Sequence, residues 1–314
     1  MRAKKAGSAP SLGRNKWTPY LYLSPALISI AILSIFPMIF TLALSFTDAS
    51  LYTFKNGFHS AGLSNYVEMF TGGLSKVFFP VAGWTLLYAA ISVAIQYAVG
   101  MFVAILLDNP NMRESRLYRA LLVIPWAIPG TLATLAWQGQ FNGSYGTINR
   151  MLAMFHMAPI YWLQGPNLAK VAVIIVNLWT GFPFFMTLCL GSLQSIPYEL
   201  YEVAEIDGAS NWHKFWRVTF PLLLRFTAPL LVGSFAFNFN NFGTAFLLTG
   251  GGPGRPGPFQ AGYTDILVSV SYKLTAQLNR YGLAAAVSTI LFLIVAGLSL
   301  VNMRITGGFK EEED

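Results

Sequence analysis

The residues best suited to chemistry are neutral ones set inside apolar stretches. Asn177, Gly181 and Phe184 stand at i, i+4 and i+7, so a helix places them on one face. Ser234, Asn238 and Asn241 repeat that spacing, with Phe237 beside them, inside Ser-Phe-Ala-Phe-Asn-Phe-Asn-Asn-Phe. Such a set suits a neutral polyol. Amides meet its hydroxyls, aromatic faces cover its C–H patches, and a glycine lets a ligand approach the backbone. The same asparagines serve equally as hydrogen-bonding glue between membrane helices, a role that Asn240 also suits. The residues alone leave the two readings level.

Other chemistries find little support. No Ser/His/Asp set, metal cluster or carboxylate pair lies within the apolar segments, which weakens a membrane enzyme; His59, His156 and His213 fall in loops or near the surface. No Asp, Glu, Lys, Arg or His occupies the middle of an apolar segment, which disfavours coupling to an ion gradient. The run from Gly250 to Pro258 cannot be regular structure, and it lacks the Lys-Ser/Thr of a phosphate-binding loop. No nucleotide-binding motif appears elsewhere. Cys189 lies in an apolar segment and reads as a small buried hydrophobe.

A second feature is acidic. Ser195 to Pro221 gathers Glu199, Glu202, Glu205 and Asp207 between two long apolar segments. Ser195 is expected to cap a short helix, Pro197 to sit in its first turn, and Gly208 to end it in the left-handed conformation. A second short helix is expected after Ser210 and Asn211, with Trp212, Phe215 and Trp216 on one face. Helices that lie on lipid favour Lys and Arg, so a protein partner is the better seat for the acidic one.

The elements that position these groups are membrane spans. With 54% hydrophobic and 11% charged residues, the chain cannot clothe a soluble surface. Six uncharged runs recur: 17–47, 77–107, 120–149, 171–198, 226–254 and 281–303. Each exceeds the roughly 20 residues that a crossing needs, which predicts an all-α protein with six transmembrane helices. The domain spans 17–306 with its acidic loop at 195–221, between a basic tail (1–16) and a short tail (307–314). Thirteen of the twenty Lys and Arg fall on the side of the first tail, among them Arg113, Arg116, Lys214 and Arg217. The positive-inside rule then places both termini and the acidic loop in the cytoplasm. The outer side holds loops at roughly 48–76, 142–170 and 250–280. The net charge of +7 is scattered near segment ends, so it reads as topology in contact with lipid, not as a nucleic-acid surface.

Glu202-Val203-Ala204, Asp207-Gly208-Ala209 and Val218-Thr219-Phe220-Pro221 together resemble the "EAA" signature of membrane subunits of binding-protein-dependent ABC importers. Val203 replaces the usual alanine and Phe220 the usual leucine, while carboxylate and glycine are kept. From about Pro125 to Arg304 the chain is similar to MalF-type permease subunits of the maltose/maltodextrin branch. The likeness runs through Asn177 to Phe184, Ser234 to Phe242, Leu248 to Pro253, Ala261 to Asp265 and Tyr281 to Ala286.

The resemblance implies the ABC importer permease fold, with a cytoplasmic coupling helix between helices 4 and 5. Glu202, Ala204, Asp207, Gly208 and Ala209 would meet an ATPase subunit there. It implies that Asn177, Gly181, Phe184, Ser234, Phe237, Asn238 and Asn241 line a sugar site, where Phe184 lacks the hydroxyl of an alternative aromatic. The expected partners are a second, MalG-like permease, two ATPase subunits that hold ATP and Mg, and an extracytoplasmic sugar-binding protein. This chain itself would bind no cofactor or metal. The setting implied is the bacterial inner membrane and the cargo a maltodextrin-type oligosaccharide. Another oligosaccharide, a sugar alcohol, or a stand-alone secondary carrier are the alternatives. The best-known members carry extra N-terminal helices and a large inserted external domain, which this chain is expected to lack.

Overall fold

The computed structural model describes residues 17–257 and 259–305, so the expected tails at 1–16 and 307–314 and the loop residue Pro258 lie outside the described residues. Helices make up the fold, and the described residues contain no strand, only isolated bridges at Thr47–Ser60 and Gly254–Gly262. The first crossing joins α1 (Thr18–Ile30) to α2 (Phe36–Leu44), and α3 (Ser64–Phe70) leads into α4 (Ser75–Leu107). Then follow α5 (Ser115–Ala127), α6 (Gly130–Gln140), α7 (Thr147–Met154) and α8 (Pro166–Leu193). The acidic hairpin is α9 (Glu199–Ile206) and α10 (Asn211–Lys214); α11 (Phe220–Phe239), α12 (Phe242–Thr249), α13 (Leu267–Ala276) and α14 (Tyr281–Ile305) complete the chain.

Among the described residues five helical stretches are long and apolar enough to cross a membrane, and α5 with α6, bent by 90°, makes a sixth if the pair is counted as one span. The crossing expected within 120–149 is broken into two helices. Ile128 is extended (ψ 133°), as the residue before a proline prefers, and Pro129 starts α6 in a new direction. The loop expected at 250–280 also needs correcting, since α13 lies within it and packs on α14 with Leu267, Val270 and Leu274 buried.

Two short π-helical turns, Ala31–Ile35 and Phe215–Thr219, each end two residues before a proline, Pro37 and Pro221. A proline cannot donate to the carbonyl four residues back and its ring crowds that carbonyl; a wider turn relieves both. The second π turn carries α10 straight into α11, so the helix that contains the fifth apolar run is continuous from Asn211, ahead of the expected Phe226.

The most extensive packing is between α4 and α8. Small residues allow it: Ala89, Gly100 and Ala104 on one helix, Ala169, Ala172 and Gly181 on the other. A Cβ on Gly100 would lie 2.6 Å from Phe185 Cβ and 2.7 Å from the Met186 backbone nitrogen. One on Gly181 would meet the side-chain amide of Gln96. Gly100→Ala is therefore expected to cost about 1–3 kcal/mol, as overpacking does. Gly181→Ala costs less, because the Gln96 tip can swing aside. Thermal unfolding of the two purified variants checks the order, and equal stabilities would refute this account of the crossing.

Candidate functional site

All seven residues expected to line a ligand site surround one cavity of about 720 Å³, within the range of about 300–1,000 Å³ seen for small-molecule sites. Helix α8 supplies Asn177, Gly181 and Phe184; α11 supplies Ser234, Phe237 and Asn238; Asn241 stands at the break before α12. That break forms because Asn241 caps α12: its side-chain oxygen accepts from the Thr244 N–H at 3.3 Å.

The asparagines are joined to one another. Asn177 Nδ2 donates to Asn238 Oδ1 at 2.6 Å, and Asn241 Nδ2 donates to Asn177 Oδ1 at 3.2 Å. Asn238 Nδ2 donates in turn to the Ser234 carbonyl at 2.9 Å. Asn177 is 3% exposed and Asn238 2%, so these two tie α8 to α11 as helix glue. Ser234, Phe184 and Asn241 are half-buried along the cavity wall, and Phe237 is 71% exposed. The glue reading thus fits Asn177 and Asn238, while the other members stay accessible along the cavity wall.

Gly181 borders the cavity and also packs against α4. Its missing Cβ makes room for Gln96, whose Nε2 donates to the Asn177 carbonyl at 2.7 Å. Gln96 was missed in the sequence, although it is the one amide in the run 77–107. Trp126, Thr131, Thr134, Thr180 and Thr244 also line the cavity and were not anticipated; only Thr180 lies within a stretch already singled out. No charged residue is among the lining groups.

The acidic hairpin stands apart from this cavity. Ser195 does not cap α9, since its hydroxyl donates to the Gly191 carbonyl at 3.1 Å and the cap position is Tyr198. Gly208 does end the helix in the left-handed region, at φ +74°. Its N–H reaches the Glu205 carbonyl and the Ala209 N–H reaches the Ala204 carbonyl, at 3.0 and 2.9 Å. That pair of bonds is a Schellman closure, and it explains Asp-Gly-Ala at this point. Ser210 caps α10, which begins at Asn211, one residue earlier than expected.

The two arms are clasped by Lys214 Nζ to Glu205 Oε1 at 2.7 Å and by the Tyr201 and Thr219 hydroxyls at 3.0 Å. Glu202 and Asp207 are exposed, as are Val203, Ile206 and Trp212. Behind the hairpin, Asp108 at the end of α4 borders a smaller cavity of about 460 Å³ with Tyr201 and Lys214. Burial pushes its carboxyl above the usual range, while the nearby Arg119 charge opposes the shift.

Comparison with known proteins agrees with these features. The chain is 38% identical over 304 residues to the galactooligosaccharides transport system permease protein GanP of Bacillus subtilis, covering 94% of this chain and 71% of that protein. It is 43% identical over 251 residues to the maltose/maltodextrin transport system permease protein MalF of Salmonella typhimurium. That match covers 78% of this chain and 49% of MalF, so the chain spans about half the length of this relative. Among solved structures, a bacterial ABC transporter involved in the import of the acidic polysaccharide alginate aligns with a TM-score of 0.76 at 22% identity. It covers 94% of this chain and 97% of that one, a likeness of fold. With residues 96–304 matching the family described as binding-protein-dependent transport system inner membrane component, the chain belongs to that family of multi-pass transport subunits, which are not themselves enzymes.

Proposed function

We propose that this chain is the permease subunit of an ATP-driven importer of neutral oligosaccharides, of the maltose/maltodextrin type. The observation that carries this is the cavity wall: amides, hydroxyls and aromatic rings without one charged group. An acidic polysaccharide would need cations there to offset its desolvation, and an ion-coupled carrier would need a titratable group. GanP, named for galactooligosaccharides, shares the chemistry of neutral hydroxylated rings, so galactose-containing oligosaccharides are the second reading.

In this reading the chain pairs with a second, MalG-like permease, and an extracytoplasmic binding protein delivers sugar to the cavity. Two ATPase subunits hold ATP and Mg and receive the hairpin through Glu202, Ala204, Asp207, Gly208 and Ala209. Both termini and the hairpin face the cytoplasm, consistent with the bias of Lys and Arg. ATPase closure draws the hairpins together and turns the cavity outward, and hydrolysis returns it inward.

Asn241 offers a direct test, because it borders the cavity without being fully buried, with Asn241→Ser, which keeps a capping oxygen for α12, as the control for loss of the cap. Asn241→Ala removes an amide from the wall and is expected to lower sugar uptake by the reconstituted complex about tenfold, the effect of one good hydrogen bond. Uptake unchanged for both maltose and a galactooligosaccharide would refute the site.

A further inference from the structure

We infer that the cavity holds a second sugar subsite on the α5–α6 break, built from Trp126, Thr131 and Thr134, which seats rings beyond those held between α8 and α11. The inference rests on the proposed carriage of a neutral oligosaccharide. Its observations come from a different wall of the cavity than the asparagine set.

Trp126 lies three residues before Pro129, where α5 gives way to α6 at 90°. The bend turns its indole into the cavity, 55% exposed, with its ring centroid 6.1 Å from that of Phe184. The two rings are inclined at 51°, so they present adjoining faces and do not stack on each other. An indole offers a sugar ring a broad apolar face and an N–H for a hydroxyl.

Thr134 supplies the second observation. It is 2% exposed, borders the cavity, and its hydroxyl makes no hydrogen bond among the described residues. Most helical threonines here return their hydroxyl to the carbonyl four residues back, as Thr180 does to Val176 at 3.1 Å and Thr187 to Pro183 at 2.9 Å. A hydroxyl on the cavity wall with no partner in the chain is available to one held in the cavity. Thr131, one turn away on α6 and exposed, adds a second hydroxyl to the same wall. A platform with two hydroxyls beside it, continuous with Phe184, is fitted to the next ring of a chain.

The test compares uptake of maltose and maltotriose, or the corresponding galactose-containing pair where that pair drives uptake, by the complete complex in proteoliposomes. Each sugar is delivered by the same binding protein, so that protein's own preference divides out between variants. Trp126→Ala is expected to lower the trisaccharide-to-disaccharide ratio about tenfold, and Thr134→Val about threefold. Trp126→Phe, which keeps an aromatic face, should retain most of the ratio and guards against a folding defect. An unchanged ratio in both Trp126→Ala and Thr134→Val overturns the subsite. If Asn241→Ala abolishes uptake while those ratios hold, the subsite alone is rejected; if Asn241→Ala has no effect on either sugar, the reading it rests on fails first.

Discussion

Glu202→Lys is expected to abolish the stimulation of ATP hydrolysis by sugar-loaded binding protein while the chain still inserts and assembles its cavity. Glu202 is exposed on α9, on the same arm as the exposed Val203 and Ile206, and no ion pair engages it among the described residues. Its charge is therefore available to a partner. Reversing a charge that faces a complementary surface costs about 2–5 kcal/mol, and about 2 kcal/mol already corresponds to roughly a thirtyfold loss.

The fold has no stake in Glu202, because the hairpin is closed by other groups: the Gly208 turn, the Lys214–Glu205 pair and the Tyr201–Thr219 bond. The measurement is ATPase activity of the purified complex with and without loaded binding protein, with circular dichroism as the check on folding. Full stimulation in the variant would remove the proposed docking. A normal response from Glu202→Gln beside a lost response from Glu202→Lys would assign the effect to repulsion.

Much of this architecture was legible because membrane spans advertise themselves. Long uncharged runs have few alternatives, and the i, i+4, i+7 spacing from Asn177 and from Ser234 groups six residues, with Phe237 beside them, on two faces. What escaped was set by close approach between elements. Gln96 matters because Gly181, 85 positions later, leaves room for its amide, and no local pattern announces that pairing. The 90° break at Pro129 escaped because a proline in an apolar run is equally at home in a mild kink. Helix α13 was hidden by Lys273, which reads as a loop cation until its partner is seen.

That partner gives the largest expected loss of stability. Asp265 is fully buried, and Lys273 Nζ approaches its Oδ2 at 2.6 Å with only 7% of the lysine side chain exposed. The carboxylate also accepts from the Gly262 N–H at 2.6 Å and the Ser269 hydroxyl at 2.7 Å. Gly251 and Gly262 crowd around it: a Cβ on Gly251 would strike the Asp265 carboxylate, and one on Gly262 the Gly251 carbonyl. Asp265→Ala strands the Lys273 charge with the Gln260 carbonyl at 3.2 Å and the Phe246 ring at 5.9 Å, and is expected to cost about 3–5 kcal/mol. The double variant Asp265→Ala/Lys273→Met removes both charges and should recover a large part of that loss, as thermal unfolding of the purified chain would show.

A double variant no more stable than Asp265→Ala would mean that the hydrogen bonds, and not the charge pair, hold the loop. The consequence reaches the cavity. Thr264, next to Asp265, bonds the Thr249 hydroxyl at 2.6 Å at the end of α12, and α12 begins at Asn241. Loosening the loop therefore frees the helix that aims Asn241, so Asp265→Ala should slow uptake even at temperatures where the chain stays folded, and the double variant should restore both properties together.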